Sequence, residues 1–477
     1  MSKPSKQSPV AGKPGPKVAG NKRAKQRKEA GRTEGPLFQP NAAGIDIGAR
    51  EIYIAVPADR DDNPVRKCAT FTGDLHQMAE WLVACGITTA AMESTGVYWI
   101  PVYDVLEQHG IQPCLVNPRN MKNVPGKRTD FHECQWIQHL HSMGLLHSAF
   151  RPDGEVCAVR SLMRHRNDLV QMASQHVQHL QKALTQMNVQ IQHVISDITG
   201  LTGLAILDAI VAGERDPAVL AKLRDPRIKA DEETIRKSLE GTWRVEHILI
   251  LKQRLSLYRS HVDQISDCDK EIEKLVAAFE PKADPEEKPM PEDRKQKQRK
   301  RAKKSGGPNF DMRTEAYKLF GVDLTQIPGL MMLVIMLFSE VGRDMSRWPT
   351  AAHFVSWLGL CPDNDISGGK VLWRGARQTK NRAGTLFRLA AYSLHRDKTP
   401  MGDYLRRMKA KLGPAAATTA TAHKIAIIFY TMVRNQVEYD ASLWAERDAM
   451  REKRIEARLQ KQAAQRGYKL VPLEAAA

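Results

Sequence analysis

From residue 42 the chain alternates between apolar runs of strand length and segments in which apolar residues recur at helical spacing. Residues 44–56 form an apolar run that turns into a second, alternating run, which predicts a β-hairpin. Three further strands are predicted at 67–71, 89–93 and 112–117, and three helices from Asp74 onward, over 97–109 and over 129–141. This alternation predicts an α/β domain with a mixed sheet over 42–152.

Two later segments carry an apolar residue at alternating steps of three and four, the spacing of a coiled coil. The first runs from Val170 to Ile198 and the second from Leu251 to Phe279. Residues 155–280 are therefore predicted to be a coiled-coil helical region. A heptad pattern does not name its partner, so the two segments pack either within one chain or between chains.

Composition separates the remaining parts of the chain. Residues 1–40 are rich in Lys, Pro, Gly and Ser and predict a disordered basic tail. A charged linker is expected at 281–312 and a second, mostly helical domain at 315–440, followed by a charged helical tail at 441–477. The fold class is thus α/β plus all-α.

The net charge of +18 is concentrated in two short segments. Residues 1–36 carry ten Lys and Arg against two Glu, and residues 294–304 carry eight with no acid. A polyanionic partner is the expectation from such a charge. Either segment can also be a solvated tail or linker, and charge alone does not decide between that role and phosphate contact.

Cysteine usage and hydropathy indicate the compartment. The seven cysteines are scattered and lack the short paired spacing of a zinc site, which predicts reduced thiols in a cytoplasmic protein. The basic N-terminus has no apolar stretch behind it, and the longest apolar run, 330–338, is too short to span a bilayer. We expect no membrane partner.

Four acids fall at predicted strand ends and on one helical turn. Asp46 lies inside an apolar strand, Glu93 ends another, and Asp130 and Glu133 are three apart in a helix and so share a face. Singly, each is more often a surface residue than a ligand. An acid within an apolar strand is costly without a partner, however, and four converging carboxylates would select Mg²⁺ or Mn²⁺.

A second candidate site lies in the C-terminal domain. Ser367 precedes Gly368-Gly369, and five cations follow it, which predicts an accessible hydroxyl in a flexible, Gly-rich loop. These candidate nucleic-acid contacts are Lys370, Arg374, Arg377, Lys380 and Arg382. A serine nucleophile needs such a setting to attack a phosphodiester, although spacing alone favours an ordinary Ser/Gly turn.

Several motifs in order resemble one family over residues 42–435. They are Gly44-Ile45-Asp46, Met92-Glu93-Ser94-Thr95-Gly96-Val97-Tyr98-Trp99, Val116-Asn117-Pro118, Lys127-Arg128-Thr129-Asp130, Cys134-Gln135-Trp136-Ile137-Gln138, Gly144-Leu145-Leu146, Phe150-Arg151-Pro152, Ile327-Pro328-Gly329-Leu330, the segment 354–362, Ser367-Gly368 and Lys380-Asn381-Arg382. The sequence resembles the DEDD transposases of insertion sequences, the group that includes the pilin-gene invertase and the bridge-RNA-guided recombinases.

The resemblance implies a RuvC-like, ribonuclease H-type domain, an inserted coiled coil and a C-terminal transposase domain. Asp46, Glu93 and Asp130 fall on the first three family acids, and Ser367 falls on the family serine. Glu133 departs from the pattern because the family usually has a second Asp there. Glu still binds Mg²⁺, but its longer arm must be accommodated.

The implied reaction is recombination through carboxylate-bound Mg²⁺ and a 5′-phosphoserine intermediate. The implied partners are donor and target DNA, a non-coding bridge RNA from the element, and further copies of the chain in a dimer or tetramer. Two rival functions stay open at this point. One is a hydrolytic junction-resolving nuclease in which Ser367 is incidental, and the other is a non-catalytic nucleic-acid-binding scaffold.

Overall fold

A computed structural model describes residues 37–94, 96–117, 129–292, 307–373, 375 and 381–470. Residues 1–36 of the predicted basic tail and the whole basic run 294–304 lie outside the described residues. The chain divides into two compact units, Met1–Arg151 and Pro152–Ala477.

A five-stranded mixed sheet forms the centre of the first unit. Its strands are β1 (Ala42–Ile47), β2 (Glu51–Ala55), β3 (Val65–Ala69), β4 (Thr89–Glu93) and β5 (Gln112–Val116). They lie in the order β3-β2-β1-β4-β5. The first three are antiparallel, while β4 runs parallel to both β1 and β5. The predicted mixed sheet is confirmed, with β3 beginning two residues earlier than expected.

Helices cover both faces of this sheet. They are α1 (Thr72–Ala84), α2 (Trp99–Gln108) and α3 (Asp130–Ser142). Successive β4 residues point to opposite faces, so Met92 packs in one cluster with α1 and α2 while Ala91 packs against Ile137 of α3. The apolar face predicted for α1, which includes Leu75 and Leu82, is buried. Each such side chain stabilises the unit by roughly 1.5–3 kcal/mol.

Two 33-residue helices, α4 (Gly154–Gln186) and α9 (Val245–Ala277), pack along each other in the second unit. A buried ion pair between Arg166 and Asp269 joins them, and the Asn309 backbone N–H donates to Asp269 Oδ2 at 3.1 Å. Buried charges need such partners because an unpaired one is strongly destabilising. The predicted helical segments thus pack against each other within one chain.

The first predicted heptad segment, Val170 to Ile198, extends beyond the end of the observed helix. The first helix ends at Gln186, and Asn188 adopts a left-handed φ of 57°, a conformation that Asn tolerates better than most residues. Ile191 and Ile198 lie beyond this break and pack with short helices instead of continuing the long one. These are α5 (Ile191–Val194), α6 (Leu201–Ala212), α7 (Pro217–Ala221) and α8 (Glu232–Ser238).

The remainder of the second unit is mostly helical, as predicted. Its helices are α10 (Met312–Phe320), α11 (Val334–Val341), α12 (Ala351–Trp357), α13 (Arg382–Ser393), α14 (Pro400–Leu412), α15 (Pro414–Asn435) and α16 (Ser442–Gln465). Stacked and edge-on aromatic rings, among them Phe354, Phe387 and Phe429, fill the core between α12, α13 and α15. No helix within the described residues is both long and apolar enough to cross a membrane.

A β-hairpin lies between two of these helices. It consists of β6 (Asp365–Ser367) and β7 (Lys370–Trp373), which pair antiparallel. The hairpin follows α12 and precedes α13 in the chain, and all of its described side chains are exposed.

Candidate functional site

Two of the four acids end neighbouring parallel strands. The register of β1 and β4 pairs Ile45 with Met92, and Asp46 and Glu93 come one residue further along each strand. Because parallel strands end at the same edge of a sheet, both carboxylates reach that edge. Asp46 lies on the opposite side of β1 from Ile45, which packs in the core with α1 and α2.

The other two acids reach this edge because α3 lies very close to β1. Asp130 and Glu133 occupy the first turn of α3, as predicted. A Cβ added at Gly44 would overlap the backbone nitrogen of Gln138 and the carbonyl oxygen of Cys134, so only glycine permits this approach. Gly44 thereby allows the acidic turn of α3 to stand beside Asp46.

The three other acids are close enough to Asp46 to affect its pKa. The pKa of Asp46 is raised to about 6. Burial is the largest cause, followed by the negative charges of Glu133, Asp130 and Glu93, in that order, while the backbone N–H of Ile47 opposes the change. The site therefore accumulates negative charge that only a cation or a proton relieves.

The four acids nevertheless do not lie close enough together in this structure to form a complete metal site. Among the residues that the structure describes, no three His, Cys, Asp or Glu side chains are grouped closely enough to hold a metal ion. Glu93 and Glu133 are partly exposed and Asp130 is exposed, so these side chains have room to change rotamer. Their chemistry suits a hard cation, since carboxylate oxygens are the ligands that Mg²⁺ and Mn²⁺ prefer.

Ser367 lies in the second unit, at the end of β6. Gly368 and Gly369 have φ values of 53° and 76°, and together they form the two-residue turn of a type I′ hairpin. The prediction of a flexible loop is wrong, because positive φ at two successive glycines specifies a tight turn. The Ser367 side chain is exposed, as an attacking hydroxyl requires.

Of the predicted cations, Lys370 lies directly across the hairpin from Ser367. Residues that pair across an antiparallel ladder point to the same face, so the ammonium group and the hydroxyl share one side of the ribbon. Arg382 is exposed at the first position of α13, which Asn381 caps by accepting a hydrogen bond from the Gly384 N–H at 2.9 Å. Arg374, Arg377 and Lys380 lie outside the described residues.

The sequence itself carries a signal for the hairpin. A Gly-Gly pair between the pairs Ile366-Ser367 and Lys370-Val371 is a known signature of two-residue hairpins. Trp373, at the end of β7, is a further exposed residue of the hairpin that the predicted contacts do not include.

Comparison with known families finds two matched segments. The transposase model for the DEDD domain of IS110 elements matches residues 43–189, and the model described as transposase IS116/IS110/IS902 family matches residues 323–406. Two segments of the chain are thus similar to IS110-family transposases. All four acids fall in the first matched segment, and Ser367 falls in the second. The mixed sheet of the first unit is compatible with a ribonuclease H-like DEDD domain. No curated protein matches the chain significantly.

Proposed function

We propose that this chain is an IS110-family transposase that cuts and rejoins the DNA of an insertion sequence by metal-assisted serine recombination. Asp46, Glu93, Asp130 and Glu133 would hold Mg²⁺ or Mn²⁺, and Ser367 would be the nucleophile. The observation that carries the proposal is that acids from three elements meet at one edge of the sheet. Asp46 of β1 and Glu93 of β4 lie at the ends of adjacent parallel strands, and the two acids of α3 are close enough to raise the pKa of Asp46.

The four acids fit a divalent cation on charge and on donor type. Bound ions of this kind neutralise the phosphate that is attacked and stabilise the attacking and leaving oxygens. The chain's own contribution is to bring carboxylates from β1, β4 and α3 to one edge of the sheet, with Asp46 half-buried between them. Binding of a cation would return the pKa of Asp46 towards its ordinary value.

Ser367 is suited to form a covalent intermediate. When its Oγ bonds to the scissile phosphorus, the bond to the 3′-oxygen breaks, the serine proton passes to a base, and the departing 3′-oxygen takes up a proton. The strand is then held as a 5′-phosphoserine ester, so a second 3′-hydroxyl can rejoin it without an external energy source. Lys370, on the same face of the hairpin, would stabilise the negative charge on the phosphate.

The partners follow from the family resemblance and from the charge of +18. A basic chain of this kind binds nucleic-acid phosphates, and the resemblance favours donor and target DNA together with a bridge RNA encoded by the element. It also favours a dimer or tetramer in which the acids of one copy act with the serine of another. A coiled-coil role for α4 and α9 in that assembly is part of the same proposal.

Strand cleavage in Mg²⁺ tests the role of the acids. Asp46→Asn should abolish cleavage of DNA that carries the element's end sequence, in the presence of RNA co-expressed from its flanks. Glu80→Gln is the matched control, because Glu80 is an exposed acid of α1 in the same unit. Cleavage that survives Asp46→Asn at the wild-type rate would remove this acid from the mechanism.

A further inference from the structure

The β6–β7 hairpin exposes an unusual amount of apolar surface. Ile366 is 59% exposed, Leu372 64% and Trp373 46%, within a ribbon of seven strand residues that also carries Ser367. Several exposed apolar side chains on one short element mark a contact surface more often than a single exposed one does. Apolar side chains on a two-residue hairpin have no core to join, so folding of the second unit does not explain them.

The six-membered ring of the Trp373 indole lies against the backbone of Gly375, and much of the side chain is accessible. A Cβ added at Gly375 would overlap the Trp373 ring, which means that the ring lies directly on the backbone of Gly375. The Gly375 carbonyl is held in turn, since it accepts a hydrogen bond from the Asp363 N–H at 2.7 Å. The backbone therefore contacts the ring, while nearly half of the side chain stays accessible to a partner.

The charge around the hairpin identifies the partner as a polyanion. From Asp365 to Arg396 the sequence contains seven Lys and Arg and one acid, Asp365. A second copy of this chain, whose net charge is positive, offers these cations no excess of negative charge. The segment suits a nucleic acid, whose phosphates meet the cations and whose bases offer flat apolar faces.

The distance between Trp373 and Ser367 along the ribbon fits DNA whose cleaved phosphate lies at Ser367. Trp373 pairs with Asp365, two residues from Ser367, and two residues of strand span roughly 7 Å. That length equals about two nucleotides at 3.4 Å each. A strand whose phosphate lies at Ser367 would thus bring a neighbouring base to the Trp373 ring.

We propose that the β6–β7 hairpin is a base-stacking ribbon, in which Trp373 stacks on a DNA base beside the phosphate that Ser367 attacks. This role rests on the proposed function for its biological purpose, but stacking itself requires no cleavage. Aromatic side chains bind bases in this way with little sequence preference.

Binding of two probes by the full-length chain tests the proposal. One probe is fluorescently labelled oligothymidylate, and the other is an abasic oligonucleotide with the same number of phosphates. Trp373→Ala should weaken binding of oligothymidylate by roughly 5- to 150-fold, the range for loss of one stacked base, and leave binding of the abasic probe unchanged. Trp373→Phe should retain most of the affinity, which separates stacking from a folding defect.

Tyr392→Ala is the matched control, because Tyr392 is an exposed aromatic residue, 65% accessible, on α13 of the same unit. It should bind both probes like the wild type. Equal affinity of Trp373→Ala and wild type for oligothymidylate would overturn the proposal. Oligouridylate is measured as a further probe, and a loss confined to it would also overturn the proposal and assign the ribbon to RNA. A change of oligomeric mass without a change in DNA affinity would overturn it as well and assign the ribbon to a second copy. Failure of serine chemistry would appear separately, as the absence of a Ser367 adduct.

Discussion

Glu133 raises the pKa of Asp46 more than any other charged neighbour does. Glu133 is next to Cys134 in the sequence, and the Cys134 carbonyl lies close to Gly44. The position of α3 on the sheet therefore sets the distance between Glu133 and Asp46. Glu133 is also the residue that departs from the usual family pattern. Its negative charge close to Asp46 is compatible with the proposed role of Glu133 as a fourth ligand.

The Asp46 carboxyl should destabilise the metal-free protein at neutral pH. Its folded-state pKa of about 6 lies above the ordinary 3.8, so ionisation between these values costs stability, and stability rises as the pH falls from about 6 to about 4. Asp46→Asn should therefore raise the free energy of unfolding at pH 8 by about 1–2 kcal/mol, allowing for solvent screening of a half-buried group. Thermal melts in EDTA measure this difference.

The same melts provide an internal check. The gain from Asp46→Asn should disappear near pH 4, where the wild-type carboxyl is protonated. Mg²⁺ should raise the melting temperature of the wild type more than that of the variant, since binding to the folded state stabilises it. A variant that is less stable than wild type at pH 8 would contradict the assigned burial and charge of Asp46.

Gly44→Ala should disrupt the acidic site through the backbone. Its Cβ would overlap the backbone of α3, which must shift and carry Asp130 and Glu133 away from Asp46. We expect a loss of roughly 1–3 kcal/mol in stability and a loss of Mg²⁺-dependent cleavage. Gly73→Ala is the control, because a Cβ at Gly73 meets nothing within 4 Å. Wild-type cleavage by Gly44→Ala would show that the approach of α3 is not required.

The hairpin turn should tolerate only residues that accept a left-handed backbone. Gly369→Val places a β-branched side chain at φ 76°, which costs at least about 1–2 kcal/mol locally and should remove strand exchange. Gly368→Asn should retain activity, since Asn-Gly is the preferred type I′ pair. Recombination assays on both variants, with nucleic-acid binding measured in parallel, decide whether the turn positions Ser367.

Much of the first unit could be predicted from its sequence because its local and tertiary signals agree. Strand β4 has the predicted bounds, and the predicted face of α1 is the buried one. The predicted helical turn of Asp130 and Glu133 is present, but the role of Gly44 could not be foreseen, since a close approach of two backbones leaves no pattern of its own. The predicted metal ligation and serine chemistry stay proposals.

The second unit shows where periodicity misleads. Apolar spacing continues past Gln186, yet the helix ends there because the following apolar residues pack with α6 and its neighbours. At Ser367 the glycines were interpreted as flexibility, although two glycines with positive φ give a fixed turn. In both cases the residue types permit two structures. Tertiary packing selects the shorter helix at Gln186, and turn geometry selects the tight hairpin after Ser367.

Leu184→Glu should unfold the helical region instead of separating two chains. Leu184 is fully buried in a cluster formed within one chain, so a charge there lacks a partner. We expect a loss of several kcal/mol, of the order of 3–5, together with a lower melting temperature. Met172→Glu is the control on the same helix, because Met172 is 47% exposed. A well-folded Leu184→Glu protein of halved mass would instead show that this cluster joins two copies.

Trapping of the covalent intermediate tests the central claim most directly. A nicked DNA substrate that releases its short 3′-hydroxyl fragment after cleavage would be incubated with the protein, Mg²⁺ and co-expressed RNA, and DNA-linked peptides would be identified by mass spectrometry. The account predicts a nucleotide esterified to Ser367, absent from Ser367→Ala and present in Ser356→Ala, a matched exposed serine of α12. Mg²⁺-dependent cleavage without any adduct would contradict it and would assign the carboxylates to hydrolysis by water.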